Sequence, residues 1–210
     1  MDAIQQRNRK LGERTAAALR ERHFEAWFCP TAAEAADQIL ALIPEGHTVS
    51  WGGSKSLEQL GVLDRVKGAF AVIDRDTAVN PAEGEQLRRA GLLADTFLMG
   101  TNALTEDGQL FNIDGMGNRV AALCYGPKNV IVVAGINKIV RSEADAFARA
   151  RFLAAPINAQ RFPVSAPCKT DGVCHNCKAP DSICAQMVAT RLCRPAGRIK
   201  VVICGEPLGF

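Results

Sequence analysis

Aromatic side chains are scarce in this sequence: they make up 6% of its 210 residues, with two Trp and one Tyr. Charge of one sign is lacking too, since 25 Lys and Arg face 22 Asp and Glu for a net +3. No long basic run with interleaved aromatics occurs, which argues against a nucleic-acid-binding surface. Long apolar runs are also missing; the longest, residues 130–136, falls far short of a membrane span. Residues 1–10 hold no apolar core of a signal peptide, so a cytoplasmic location is expected. In that reducing compartment, clustered cysteines bind metal or do redox chemistry more often than they build a disulfide framework.

What is present reads as an ordinary globular domain, 48% hydrophobic and 22% charged, of a length that suits one domain of generous size. Strand-like and helix-like stretches alternate. Strands are expected at residues 23–29, 47–51, 69–74, 96–99, 109–113, 130–134 and 198–204. Helices are expected over the first twenty-odd residues, from 30 to about 43, around 57–63, and from Pro81 to near Gly91. Two more are expected, one from Asn118 as cap to Tyr125 and one from Ser142 to Ala155, just before Pro156. The β-branched run 130–134 suits a strand buried on both faces. The alternation predicts an α/β fold, a mainly parallel sheet sandwiched by helices.

Three polar loops fall at one predicted edge of that sheet. Trp51-Gly52-Gly53-Ser54-Lys55-Ser56 follows a strand and precedes a helix. Its glycines let the backbone approach a ligand, and Ser54 and Lys55 add donors suited to an anion. A tight turn with a Ser cap explains the same residues, and neither common nucleotide-binding fingerprint is present. Asn112 and Asp114 lie two apart on a strand and therefore share a face, immediately before Gly115-Met116-Gly117-Asn118. Asp114 could act as a base or cap the following helix. Gly135-Ile136-Asn137-Lys138 is the third loop. Together they predict a pocket for a small anion, with Asp114 and Lys138 as catalytic candidates. Its ligand-binding candidates are Gly52, Gly53, Ser54, Lys55, Asn112, Gly115, Gly117, Asn118 and Asn137.

Four of the eight cysteines fall within seventeen residues, as Cys168-x5-Cys174-x2-Cys177-x6-Cys184. Thiolates this close converge on one metal centre without a large fold to gather them. Zinc sites commonly use two separated knuckles, whereas one knuckle flanked by single cysteines is closer to the wrapping of a [4Fe–4S] cluster. Seven Lys and Arg against two Asp between residues 161 and 200 favour thiolates and an anionic cluster. Zinc stays open as the alternative metal. Four free thiols on one loop would be an oxidation hazard. His175 reads as a neighbouring surface residue and Cys193 as structural, while Cys29, Cys124 and Cys204 read as small buried side chains. The segment 157–196 is expected to be a metal-binding insertion before the last strand.

The stretches Trp51–Ser54, Thr105–Val120 and Asn129–Lys138 resemble the LUD domain of lactate-utilization proteins, and the cysteine segment is similar to a subgroup with a cysteine-rich extension. The resemblance implies a Rossmann-like fold similar to CoA transferases and ribose-5-phosphate isomerases. It also implies association with bacterial oxidation of L-lactate to pyruvate alongside iron–sulfur subunits, and it carries no agreed catalytic residues. The expected function is therefore a component of lactate or 2-hydroxy-acid oxidation with a four-cysteine cluster; redox partner subunits and a homo-oligomer stay open. The alternatives are an isomerase- or transferase-like enzyme on a small anion with a structural zinc, and a non-catalytic assembly or regulatory subunit.

Overall fold

The computed structural model describes residues 2–210. In chain order the elements are α1 (Ala3–Glu21), β1 (Glu25–Cys29), α2 (Ala32–Ala41), β2 (Thr48–Trp51), α3 (Lys55–Gln59), α4 (Val62–Ala69) and β3 (Ala71–Ile73). They continue with α5 (Pro81–Gly91), β4 (Thr96–Gly100), β5 (Ala103–Thr105), β6 (Leu110–Asp114), α6 (Asn118–Tyr125), β7 (Asn129–Gly135) and β8 (Ile139–Val140). The last are α7 (Glu143–Ala148), a π-helical stretch (Arg149–Ala154), α8 (Ala155–Ala159), α9 (Cys168–Asp171), β9 (Gln186–Thr190) and β10 (Ile199–Cys204).

Six strands form a central sheet in the order β1-β10-β7-β4-β2-β3, and every pairing in it is parallel. The alternation of β7 splits the core between the two faces. Val130, Val132 and Ala134 join Phe97, Met99, Leu19 and Leu123 on one side. Ile131 and Val133 join Leu57, Leu98, Ile39 and Trp51 on the other. Burying one such Leu or Ile contributes about 1.5–3 kcal/mol, which makes this sheet the rigid platform of the molecule. No helix among the described residues is long and apolar enough to cross a membrane.

A second sheet, β8-β5-β6-β9, was not expected as a unit. Its hairpin β5–β6 turns at Glu106-Asp107-Gly108, where Gly108 has φ +87°. Leu104 and Leu110 face the central sheet, while Ala103 and Phe111 pack on Ala146 of α7. β9 lies inside the segment expected to be an insertion and pairs with β6 over five residues. Part of that segment is therefore sheet.

Three further expectations are corrected. The helix around 57–63 is two helices, broken at Gly61 with φ +61°. Helix α6 has Gly117, φ +84°, at its cap position, so Asn118 is its first helical residue and not the cap. The helix from Ser142 does not stop before Pro156 but runs on to Ala159. A proline ring clashes with the carbonyl four residues back in a regular α-helix. The π-helical stretch just before it widens the coil, which relieves that conflict.

Candidate functional site

The order in which strands are added to the sheet reverses between β2 and β4. β2 leads on to β3 on one side, whereas β4 leads towards β7 on the other, and such a switch point leaves a crevice beyond the strands' C-terminal ends. A cleft of about 600 Å³ opens there, lined by Gly53, Ser54, Gly100, Thr101 and Asp114 among others. Its far wall comes from the cysteine-rich segment, through Phe162, Val164, Ser182 and Ile183.

Seven of the expected pocket residues line this cleft: Gly53, Ser54, Lys55, Asp114, Gly115, Asn118 and Lys138. The other four have different work. A Cβ on Gly52 would stand 2.4 Å from Arg119 Cγ, so that glycine makes room for an arginine rather than for a ligand. Gly117 supplies the left-handed turn before α6. Asn137 clamps the final residues, accepting from the Leu208 backbone N–H and donating to the Gly209 carbonyl. Asn112 is 1% exposed, with neither amide atom hydrogen-bonded. It shares a face with Asp114 but sits two residues further from the strand end, about 7 Å deeper at strand rise.

Ser54 caps α3 through the Leu57 N–H, and the Lys55 charge is met by Glu58 at 3.0 Å. Asp114 is also committed. Its Oδ2 accepts from the backbone N–H groups of Arg119 and Val120 at 3.0 and 3.2 Å, and the Arg119 guanidinium lies 3.5 Å away. This is the helix-capping role, in which the carboxylate satisfies orphan N–H donors at a positive helix end.

Lys138 is the unusual group. It is 5% exposed, and its Nζ donates to Ser56 Oγ at 2.9 Å and to the Thr101 carbonyl at 3.0 Å. Both acceptors are neutral. Burial, with Arg149 and Arg119 adding positive charge nearby, pushes its pKa down to about 7. Sequence reading missed the arginines that line the cleft, Arg75, Arg88, Arg119 and Arg161. Arg119 lay within a stretch already singled out, but the other three come from separate segments with no local signal.

Cys168, Cys174, Cys177 and Cys184 line a second, smaller cavity of about 60 Å³. α9 presents Cys168 against Ala159 and Ala166, and the Asp181 carboxylate ties the ends of the loop by accepting from Ser165 N–H and Oγ–H. Burial, followed by the charges of Cys174, Cys168 and Cys177, raises the Cys184 thiol to about 11. Cys168 is raised as well, by burial and then by Cys177 and Cys174. The four thiols are thus electrostatic neighbours, a donor set suited to a thiolate-bound cation or cluster. Among the described residues no three His, Cys, Asp or Glu side chains stand close enough to hold a single metal ion. Four sulfurs around one zinc would be about 3.8 Å apart, so a zinc site would require this loop to draw in. His175 Nε2 is paired with Asp171 at 2.6 Å.

The remaining cysteines lie elsewhere. Cys193 is 2% exposed in the central core and hydrogen-bonded to the Pro195 carbonyl. Cys29 and Cys204 are buried side by side on β1 and β10. Cys124, expected to be buried, is exposed, because α6 turns Val120, Ala122 and Leu123 inward instead.

The chain is similar over 94% of its length to a DUF162 family protein from Deinococcus radiodurans, covering 97% of that chain at 14% identity with a TM-score of 0.54. A weaker likeness, at a TM-score of 0.39 and 14% identity, is to 5-methylthioribose 1-phosphate isomerase from Pyrococcus horikoshii, over 76% of this chain and 51% of that one. Among curated proteins none matches. The LUD domain family model matches residues 12–204, spanning the central sheet, the cleft and the cysteine loop alike. The chain belongs to the LUD domain family.

Proposed function

We propose that this LUD domain is a component of 2-hydroxy-acid oxidation, with L-lactate as the type substrate, in which Cys168, Cys174, Cys177 and Cys184 hold a [4Fe–4S] cluster beside an anion-binding cleft. One observation carries the reading: Ser182 and Ile183 line both the cleft and the four-cysteine cavity, so the two share a wall made by these residues. A bound cluster supplies one-electron transfer, here towards a redox partner subunit.

The chain's own residues do the rest. Arg119 holds the substrate carboxylate in the crevice, where few waters compete with it. Oxidising a 2-hydroxy acid to a 2-oxo acid releases two protons with two electrons, so one electron has to pass to the redox partner subunit twice per turnover, with the second proton leaving to solvent. Lys138 is equipped to take up the hydroxyl proton, because a base titrating near neutrality can both accept and return one. Asp114 positions Arg119 rather than acting as the base. Phe162 and Ile183 keep solvent from the opposite side.

Iron, sulfide and zinc analysis of anaerobically purified protein tests the cluster directly. The expected result is a brown protein with about four iron and four sulfide per chain, falling sharply in Cys184→Ser. A colourless protein with stoichiometric zinc would overturn the redox reading.

A further inference from the structure

The charge around Lys138 does not balance. The groups facing it are Ser56 from α3, Thr101 from the end of β4 (through its carbonyl), Arg119 from α6 and Arg149 from the π-helical stretch, with Gly209 of the final residues also lying against the amine and Phe210 lining the cleft. Arg149 itself donates only to the carbonyls of Asn137 and Asn102. Three cations therefore share one carboxylate, that of Asp114. The other cleft cations have partners: Lys55 and Arg161 share Glu58, Arg75 lies against Asp76, and Arg88 lies 3.7 Å from Glu85. The surplus at the Lys138 end is two positive charges. A carboxylate would neutralise half of it, and a dianion all of it.

The size of the cleft points the same way. A molecule as small as lactate fills roughly 100 Å³, the share of three or four waters. The cleft holds about 600 Å³, within the range of sites that enclose ligands several times larger. Its polar end is at Lys138, and its apolar wall is made by Phe162, Pro163, Val164 and Ile183. That pairing suits a ligand with a compact dianionic head and a larger organic body.

We propose that the cleft binds a phosphate monoester larger than lactate, a phosphorylated hydroxy acid or sugar, with its phosphate against Lys138 and Arg119, the charge of Arg149 behind them, and its organic part along the Phe162–Ile183 wall. Phosphate monoesters are largely dianionic at neutral pH, and their oxygens accept several charge-assisted bonds at once. The inference rests on the cleft being the anion site of the proposed function. It gives the position beside Arg119, assigned above to the carboxylate of lactate, to a phosphate instead, so the ligand is a phosphorylated acid or sugar in place of lactate.

Calorimetric titration of the anaerobic, metal-loaded protein compares three pairs: glycerate with 3-phosphoglycerate, glucose with glucose 6-phosphate, and L-lactate with inorganic phosphate. The expected result is that each ester binds at least about tenfold more tightly than its unphosphorylated partner and than inorganic phosphate. Lys138→Gln should lose most of that preference while keeping its metal content. In the unmutated protein, ester binding near pH 8 should take up a proton, read as heat that varies with the buffer's own ionisation enthalpy. Lactate binding as tightly as the esters would overturn the inference, as would inorganic phosphate binding as tightly or Lys138→Gln keeping the full preference. Iron content on the same sample decides the cluster separately, so a zinc-loaded protein that still prefers phosphate esters would refute only the redox reading.

Discussion

Lys138→Gln should reshape the pH dependence of folding stability. In the folded protein the Lys138 ammonium is held at about 7, against 10.5 for an unperturbed lysine. A gap of that size corresponds to a penalty on the order of 5 kcal/mol for burying the charged form. The sign follows from proton counting. Below pH 7 both folded and unfolded chains carry the proton, and the folded state bears the full penalty. Between pH 7 and 10.5 the unfolded chain keeps the proton while the folded one sheds it, so wild-type stability climbs relative to the variant, by up to about 1.4 kcal/mol per pH unit. The substitution removes the penalty but weakens the hydrogen bonds to Ser56 and Thr101, at about 0.5–1.5 kcal/mol each. At pH 6 the variant should therefore be the more stable by about 2 kcal/mol or more, and by pH 10 it should be the less stable. Urea unfolding at pH 6, 8 and 10 in reductant, followed by the fluorescence of the buried Trp51, measures the crossing. Stability curves for the two proteins that run parallel within about 1 kcal/mol would show that Lys138 is not a buried, uncompensated cation, and the reasoning would fail.

Two other outcomes are expected. Brief alkylation with iodoacetamide at pH 8 should modify the exposed Cys124 and leave Cys29 and Cys204 untouched until the chain unfolds, because burial raises both of their thiols to about 11; peptide mass mapping that finds Cys29 or Cys204 labelled first would contradict the packing. Gly135→Ala would place a Cβ 2.3 Å from the Leu208 backbone nitrogen, so the final residues must leave their groove and expose Leu208; a loss of about 2 kcal/mol or more in urea unfolding is expected, and an unchanged midpoint would count against the close approach.

The central sheet was legible because its strands are of the kind that pattern reading finds. The run 130–134 is apolar throughout and β-branched up to Val133, and it became the middle of β7, buried along its whole length. The second sheet was mostly hidden. β8 has two residues and β5 three, too short to show a period. β9 is half exposed along its length and sits in a stretch that the cysteines dominate. The cleft was legible in its loops but not in its charge. Gly53, Ser54, Asp114 and Lys138 were found because they flank strand ends. That Asp114 is taken up by α6, and that Lys138 is left without a carboxylate, depends on Arg119 and Arg149 arriving from other elements, and no local pattern encodes such an arrival. Pro156 misled for a physical reason: a proline ends a regular α-helix, and a preceding π-helical stretch is rare enough that the sequence gives no cue for it.

Strand β9 bears on how freely this chain could be cut. Cys184 is two residues from Gln186, and Gln186 is the register partner of Asp114 across β6. Excising residues 157–196 as though they were a removable module would strip β6 of a five-residue neighbour and leave its backbone groups as a bare edge open to pairing between molecules. The excision would also delete one wall of the cleft. The cysteine loop is thus spliced into the scaffold: it runs into the strand that pairs with β6, and Ser182 and Ile183 just before that strand wall the cleft.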